Sequence, residues 1–175
     1  MALRNILQKG DQTLTKFSRD VTDFDHRLHT LLDDMRETLF SANGVGLAAP
    51  QVGVLRRVVL VLDLNQEFED DEEEELVLEL INPVILTAEG EQTSYEGCLS
   101  VPGLVGMVTR PQRVTVRAQD RDGAWVEVEG EGLMARALCH ELDHLDGKLY
   151  TSLVTGELIN AAQLAEMEAA EEGEI

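Results

Sequence analysis

The chain has 175 residues, 43% of them hydrophobic, which suits one domain with an apolar core, or one domain with a tail. A formal net charge of −20 argues against a basic nucleic-acid-binding surface, and so against a DNA-binding protein. No stretch approaches the roughly 20 apolar residues of a membrane helix. The first 17 residues reach Lys9 and Asp11 without a long apolar run, unlike a secretory leader. Two cysteines, Cys98 and Cys139, make no disulfide framework and suit a reducing compartment. A soluble, cytoplasmic protein, monomeric and away from membranes, is expected.

Along residues 25–41 the apolar positions Leu28, Leu31, Leu32, Met35 and Leu39 fall at helical spacing, with Asp25 as N-cap and Asn43-Gly44 as stop. The segment 44–53 is too rich in glycine for a regular element. Residues 57–63 read as a buried strand, residues 76–86 as a second interrupted near Asn82-Pro83, and residues 92–95 as a third. Residues 114–118 and 125–129 alternate apolar and polar around Asp120-Arg121-Asp122-Gly123, a hairpin. Residues 132–145 switch to helical period and stop at Gly147, and residues 160–170 form a short Ala- and Glu-rich terminal helix. Strands followed by a helix in one small domain predict an α+β fold, small mixed or antiparallel sheets around a central helix. Residues 67–75 are nearly all acidic and read as a solvated insertion. As a cation-binding loop the run would need the glycine-punctuated alternation it lacks.

The segment that carries chemistry is His140-Glu141-Leu142-Asp143-His144. At about 100° per residue, positions four apart differ by only about 40°, so both imidazoles leave a helix on one face. Two such imidazoles bind one divalent metal, and the intervening Glu acts on a bound water. The third ligand decides the class. One zinc-protease pattern puts a third histidine where this chain has Tyr150, and another needs a downstream Glu, for which Glu157 is nearest. His26 and His29 belong to the first helix and read as surface residues. Cys139 is rotated about 100° from His140 and points away from the metal face. Cys98, in Glu96-Gly97-Cys98-Leu99-Ser100, lies where glycine permits close backbone approach, and a two-histidine site needs one more ligand.

Three segments together resemble peptide deformylases: Gly44-Val45-Gly46-Leu47-Ala48-Ala49-Pro50-Gln51, Glu96-Gly97-Cys98-Leu99-Ser100 and His140-Glu141-Leu142-Asp143-His144-Leu145. They occur in that family's order, and family-like sequence runs over residues 3–153. The resemblance implies a catalytic domain over residues 1–153 and an acidic tail with a short helix over 154–175. The implied activity is hydrolytic removal of the N-formyl group from the N-terminal formylmethionine of nascent polypeptides, releasing formate.

The resemblance also implies roles for individual residues. Cys98, His140 and His144 would be ligands of one divalent ion, Fe2+ first, with Zn2+, Ni2+ or Co2+ also suited to these donors. Glu141 would be general acid and base, with Gln51 and the backbone N–H of Leu99 donating to the reacting oxygen. The backbone around Gly44, Val45 and Gly46 would hold the peptide, and Val45, Leu133 and Ala137 would border a methionine pocket. Glu96 and Arg110 would form a supporting ion pair. Some relatives dock on the ribosome through a basic C-terminal helix. The tail here is acidic, and like charge repels phosphate, so a transient ribosome association is not carried over to it.

Overall fold

The computed structural model describes residues 2–65 and 76–173. The acidic run 67–75, expected as a solvated insertion, lies outside the described residues. Helix α1 spans His26–Ser41, with the Asp25 carboxylate accepting from the Leu28 N–H at 3.1 Å. Strands β1 (Gly46–Ala48), β2 (Val58–Leu62), β3 (Val77–Glu89), β6 (Arg113–Gln119) and β7 (Trp125–Glu131) form an antiparallel sheet in the order β1-β2-β3-β6-β7. Strands β4 (Gln92–Cys98), β5 (Val101–Arg110) and β8 (Thr155–Asn160) form a second antiparallel sheet in the order β4-β5-β8. Helix α2 is Leu133–Leu145 and α3 is Ala161–Gly173. The fold is α+β, as the pattern of elements predicts.

The continuous apolar run of β2 has a direct cause: the strand is buried on both faces. Val58 and Leu60 point to α1, where Leu32, Met35 and Leu39 pack, and Val59 and Val61 point to α2, where Met134, Ala135 and Leu138 pack. Two layers of helix thus sandwich the larger sheet, and α2 is held between that sheet and the smaller one. Val101, Val108 and Tyr150 form a separate apolar cluster under the smaller sheet.

The interruption expected at Asn82-Pro83 is a bulge rather than a break. Asn82 adopts φ +52°, the register shifts between Ile81 and Val84, and the strand then continues to Glu89. The Asn82 side chain accepts from the Val21 N–H and donates to the Val21 carbonyl, so the bulge also anchors the N-terminal segment.

Three strands escape the pattern reading: the segment 44–53, whose glycines argue against a regular element, holds β1, which pairs antiparallel with β2. β5 contains Pro102, Gly103 and Gly106 and reads as a turn, yet it is the central strand of its sheet. Gly106 is required there, because a Cβ would lie 2.6 Å from Val154 Cγ2. The loop-like Thr155-Gly156 opens β8, which pairs with β5, so the chain beyond residue 154 contributes to the sheet.

Candidate metal centre

The helical spacing of His140 and His144 does what it predicts: the two rings stand on one face of α2, centroids 5.1 Å apart. Cys98, at the end of β4, faces them. The ligand atoms of Cys98, His140 and His144 all lie within 4.8 Å of one another, and Cys98 Sγ is 3.5 Å from His144 Nε2. For metal bonds of about 2.3 Å to sulfur and about 2.05 Å to nitrogen at a tetrahedral centre, two ligand atoms stand roughly 3.6 Å apart. The donor set and its spacing therefore fit one divalent ion.

Glu141 sits beside this group, its Oε1 3.9 Å from His140 Nε2. Its Oε2 is buried without a hydrogen-bond partner, and burial pushes the carboxyl up to about 7. His144 is likewise buried, and burial together with the neighbouring His140 lowers it to about 3, which keeps the imidazole neutral as a ligand must be.

His140 is oriented by Glu96. Its Nδ1 faces Glu96 Oε1 at 2.5 Å, which leaves Nε2 to the metal side. The expected Glu96–Arg110 pair is present at 2.6 Å, and it is part of a larger network. Arg136 Nη1 donates to Glu96 Oε2 at 2.7 Å, and Arg110 also pairs with Asp143. Burial alone would raise the Glu96 carboxyl; hydrogen bonds from His140 and Arg110 outweigh it and hold the group at about 2. Arg136 and Asp143 were not foreseen, although both lie on the helical face of His140, at i−4 and i+3.

Gln51 is fully positioned. Its Oε1 accepts from the Ala48 N–H at 2.9 Å, and its Nε2 donates to Ser100 Oγ at 3.0 Å and lies 3.6 Å from Cys98 Sγ. Ser100, buried and unforeseen, also sends its backbone N–H toward Cys98 Sγ at 3.4 Å.

A cavity of about 470 Å³ opens above these groups, lined by Gly44, Val45 and Gly46, by Gly97, Cys98 and Leu99, and by Leu133, Ala137, His140 and Glu141 of α2. It lies between β1 and β4, each the end strand of its sheet, so two strand edges border it. Gly46 leaves no room to spare: a Cβ there would stand 2.7 Å from Glu141 Cγ and 2.9 Å from its Oε1. Gly46→Ala is expected to displace the Glu141 carboxyl and lower turnover about 100-fold, as a misplacement of about 1 Å does elsewhere. Steady-state kinetics beside an unchanged circular dichroism spectrum would check this, and parental turnover would refute it.

The other residues weighed as ligands stand apart. Tyr150 stacks 5.9 Å from His140 but donates its hydroxyl to the Leu104 carbonyl. Glu157 is exposed on β8, and His29 Nε2 donates to the Arg121 carbonyl. Cys139 is packed in the core beneath α2, where burial pushes its thiol up to about 11.

A cysteine and two imidazoles able to hold a metal ion, beside a buried carboxylate in a cleft of about 470 Å³, have the chemistry of a metal-dependent hydrolase. The sequence model of the polypeptide deformylase family matches residues 3–157. A peptide deformylase of Acetivibrio thermocellus is 54% identical over 154 residues, covering 88% of this chain and 85% of that one. The crystal structure of a peptide deformylase from Legionella pneumophila superposes with a TM-score of 0.81 at 42% identity, covering 88% of this chain and 87% of that chain. That from Thermotoga maritima does so with 0.80 at 35% identity, covering 89% and 100%. The chain belongs to the polypeptide deformylase family.

Proposed function

We propose that this chain hydrolyses the N-formyl group from the N-terminal formylmethionine of nascent polypeptides, releasing formate. The observation that carries the reading is the meeting of Cys98, His140 and His144 beside Glu141 at the floor of a cleft between two strand edges. Cys98 Sγ and one nitrogen from each histidine would hold one divalent ion, Fe2+ foremost among Fe2+, Zn2+, Ni2+ and Co2+. When bound, such an ion acidifies a water molecule and polarises the formyl carbonyl.

The protein's own groups account for the remaining steps. Glu141, poised near neutrality by burial, takes the proton of the attacking water and returns it to the leaving amine. The Gln51 amide and the Leu99 N–H donate to the formyl oxygen as charge develops there. One Gln51 N–H is held by Ser100, which fixes the direction of the other. The free edge at Gly44, Val45 and Gly46 receives the peptide as an added strand. Val45, Leu133 and Ala137 border the apolar pocket for the methionine side chain. Glu96, clamped by Arg110 and Arg136, keeps His140 in the ligating orientation. A cytoplasmic location and a monomeric state belong to the same proposal, the first because nascent polypeptides are the substrate.

Formate release from a formyl-Met tripeptide by anaerobically purified protein tests this, with metal measured on the same sample. The expected result is release with one metal per chain, no cutting of the unformylated peptide, and loss of both metal and release in Cys98→Ser. Full release by Cys98→Ser, or cleavage of the unformylated peptide, would overturn the reading.

A further inference from the structure

The chain has 14 lysines and arginines against 34 carboxylates, so a cation should rarely lack a partner. Arg4, Arg57, Arg110, Arg113, Arg121 and Arg136 are in ion pairs, and Arg36 and Arg117 lie over aromatic rings. Among the described residues, Lys9, Lys16, Arg19, Arg27, Arg56 and Lys148 have neither a carboxylate partner nor a ring contact, and three laced segments carry four of these six: Lys16, Arg19, Arg56 and Lys148. The Arg19 N–H donates to the Leu55 carbonyl and the Arg57 N–H to the Arg19 carbonyl, with a parallel bridge between Arg19 and Arg56. The Ser18 N–H donates to the Leu145 carbonyl at the end of α2. Gly147, at φ +73°, lets the chain turn directly against Thr15 and Lys16, where a Cβ would lie 2.5 Å from the Thr15 carbonyl oxygen.

Phe17 lies in the first of these segments, between Lys16 and Arg19 in sequence, 68% exposed, with the Arg57 guanidinium 5.0 Å from its ring centroid. A single exposed phenylalanine is ordinary; one beneath an arginine, on laced segments that also carry four unpaired cations, is not. The carboxylates in these segments, Asp20 and Asp146, both face Arg57, at 4.0 and 3.1 Å, leaving the other four cations uncompensated. The overall charge of −20 conceals this face, because at physiological salt charges beyond about 8 Å are largely screened.

We infer that this face docks single-stranded or looped RNA, an unpaired base stacking on Phe17 while Lys16, Arg19, Arg56 and Lys148 meet the phosphates. Planar stacking interleaved with unpaired cations is how single strands are held without sequence preference. An acidic peptide would engage the cations but would have no use for the ring. The face lies at the C-terminal end of α2, whereas Leu133 and Ala137, which border the cleft, lie about 18 and about 12 Å back along the helix. Docked RNA therefore leaves the cleft open to a peptide. The inference stands independently of the reaction proposed above.

The test is fluorescence anisotropy of the metal-loaded full chain with a labelled uridine-rich RNA of about 12 nucleotides, from about 50 to about 200 mM KCl. Binding should weaken with salt, with a logarithmic slope of about −0.7 per phosphate engaged. Phe17→Ala should weaken binding about fivefold or more with its slope unchanged. Arg19→Gln with Arg56→Gln should flatten the slope by about 1.4. Formate release from a free tripeptide should be the same in every variant. Absence of binding at the lowest salt would overturn the inference, as would a Phe17→Ala protein of parental affinity. So would equal competition by polyglutamate or by phosphatidylglycerol vesicles, which would mark a general anion surface.

Discussion

Glu141→Gln is expected to release formate between about 100-fold and about 10,000-fold more slowly than the parent while retaining the same metal content. Glutamine has nearly the same volume, so a residue buried on α2 against Gly46 is replaced without a cavity. What the proposed mechanism loses is its proton carrier. In the parent, burial holds the carboxyl near 7, so its ionised and protonated forms are both populated where the enzyme works. An amide offers neither. Cys98, His140 and His144 are untouched, so metal analysis and circular dichroism should match the parent. Parental turnover in this variant would remove Glu141 from the mechanism.

Glu96→Ala is expected to act on the fold as much as on the reaction. The Arg110 and Arg136 side chains are only 4% and 6% exposed, and Glu96 accepts hydrogen bonds from both while holding His140. Removing one partner of a buried pair costs about 3–5 kcal/mol, because a buried charge is left uncompensated. At roughly 2–4 °C per kcal/mol for a chain of this size, the thermal midpoint should fall on the order of 10 °C. Freed of its carboxylate, His140 should also ligate 10- to 100-fold less tightly, in the range of about 10–100 for lost supporting partners. Thermal unfolding and competition with a chelator read the two effects separately. A parental midpoint together with parental metal retention would show that the network is dispensable.

Local periodicity made the helices and the long strands legible, because each buries one defined face. The Asp25 cap and the stripe from Leu28 to Leu39 are enough to place α1. β5 and β8 were illegible for the opposite reason. Gly106 of β5 serves close packing against Val154 and Leu158, a tertiary demand with no local signature, while Gly103 and Gly156 take positive φ in open space. The centre divides in the same way. The helix period alone puts His140 and His144 side by side, whereas Cys98 joins them only by resemblance until the fold brings β4 across α2. Arg136 and Asp143 were visible in principle on the face of α2. What could not be read was that Glu96, 40 residues upstream of Arg136, would accept from Arg136 directly and be linked to Asp143 through Arg110.

The smaller sheet and α2 are joined chiefly through polar groups: Glu96 and Arg110 from the sheet, Arg136, His140 and Asp143 from the helix, and Cys98 opposite His144. An ion shared by Cys98 and the two histidines is therefore a cross-link between separately packed units. Ligand concentration enters the unfolding equilibrium as a logarithm, so free metal at about 100 times its dissociation constant would contribute about 2.7 kcal/mol to cohesion. With an ion held there, metal supply would become a setting for the lifetime of the protein as well as for its turnover.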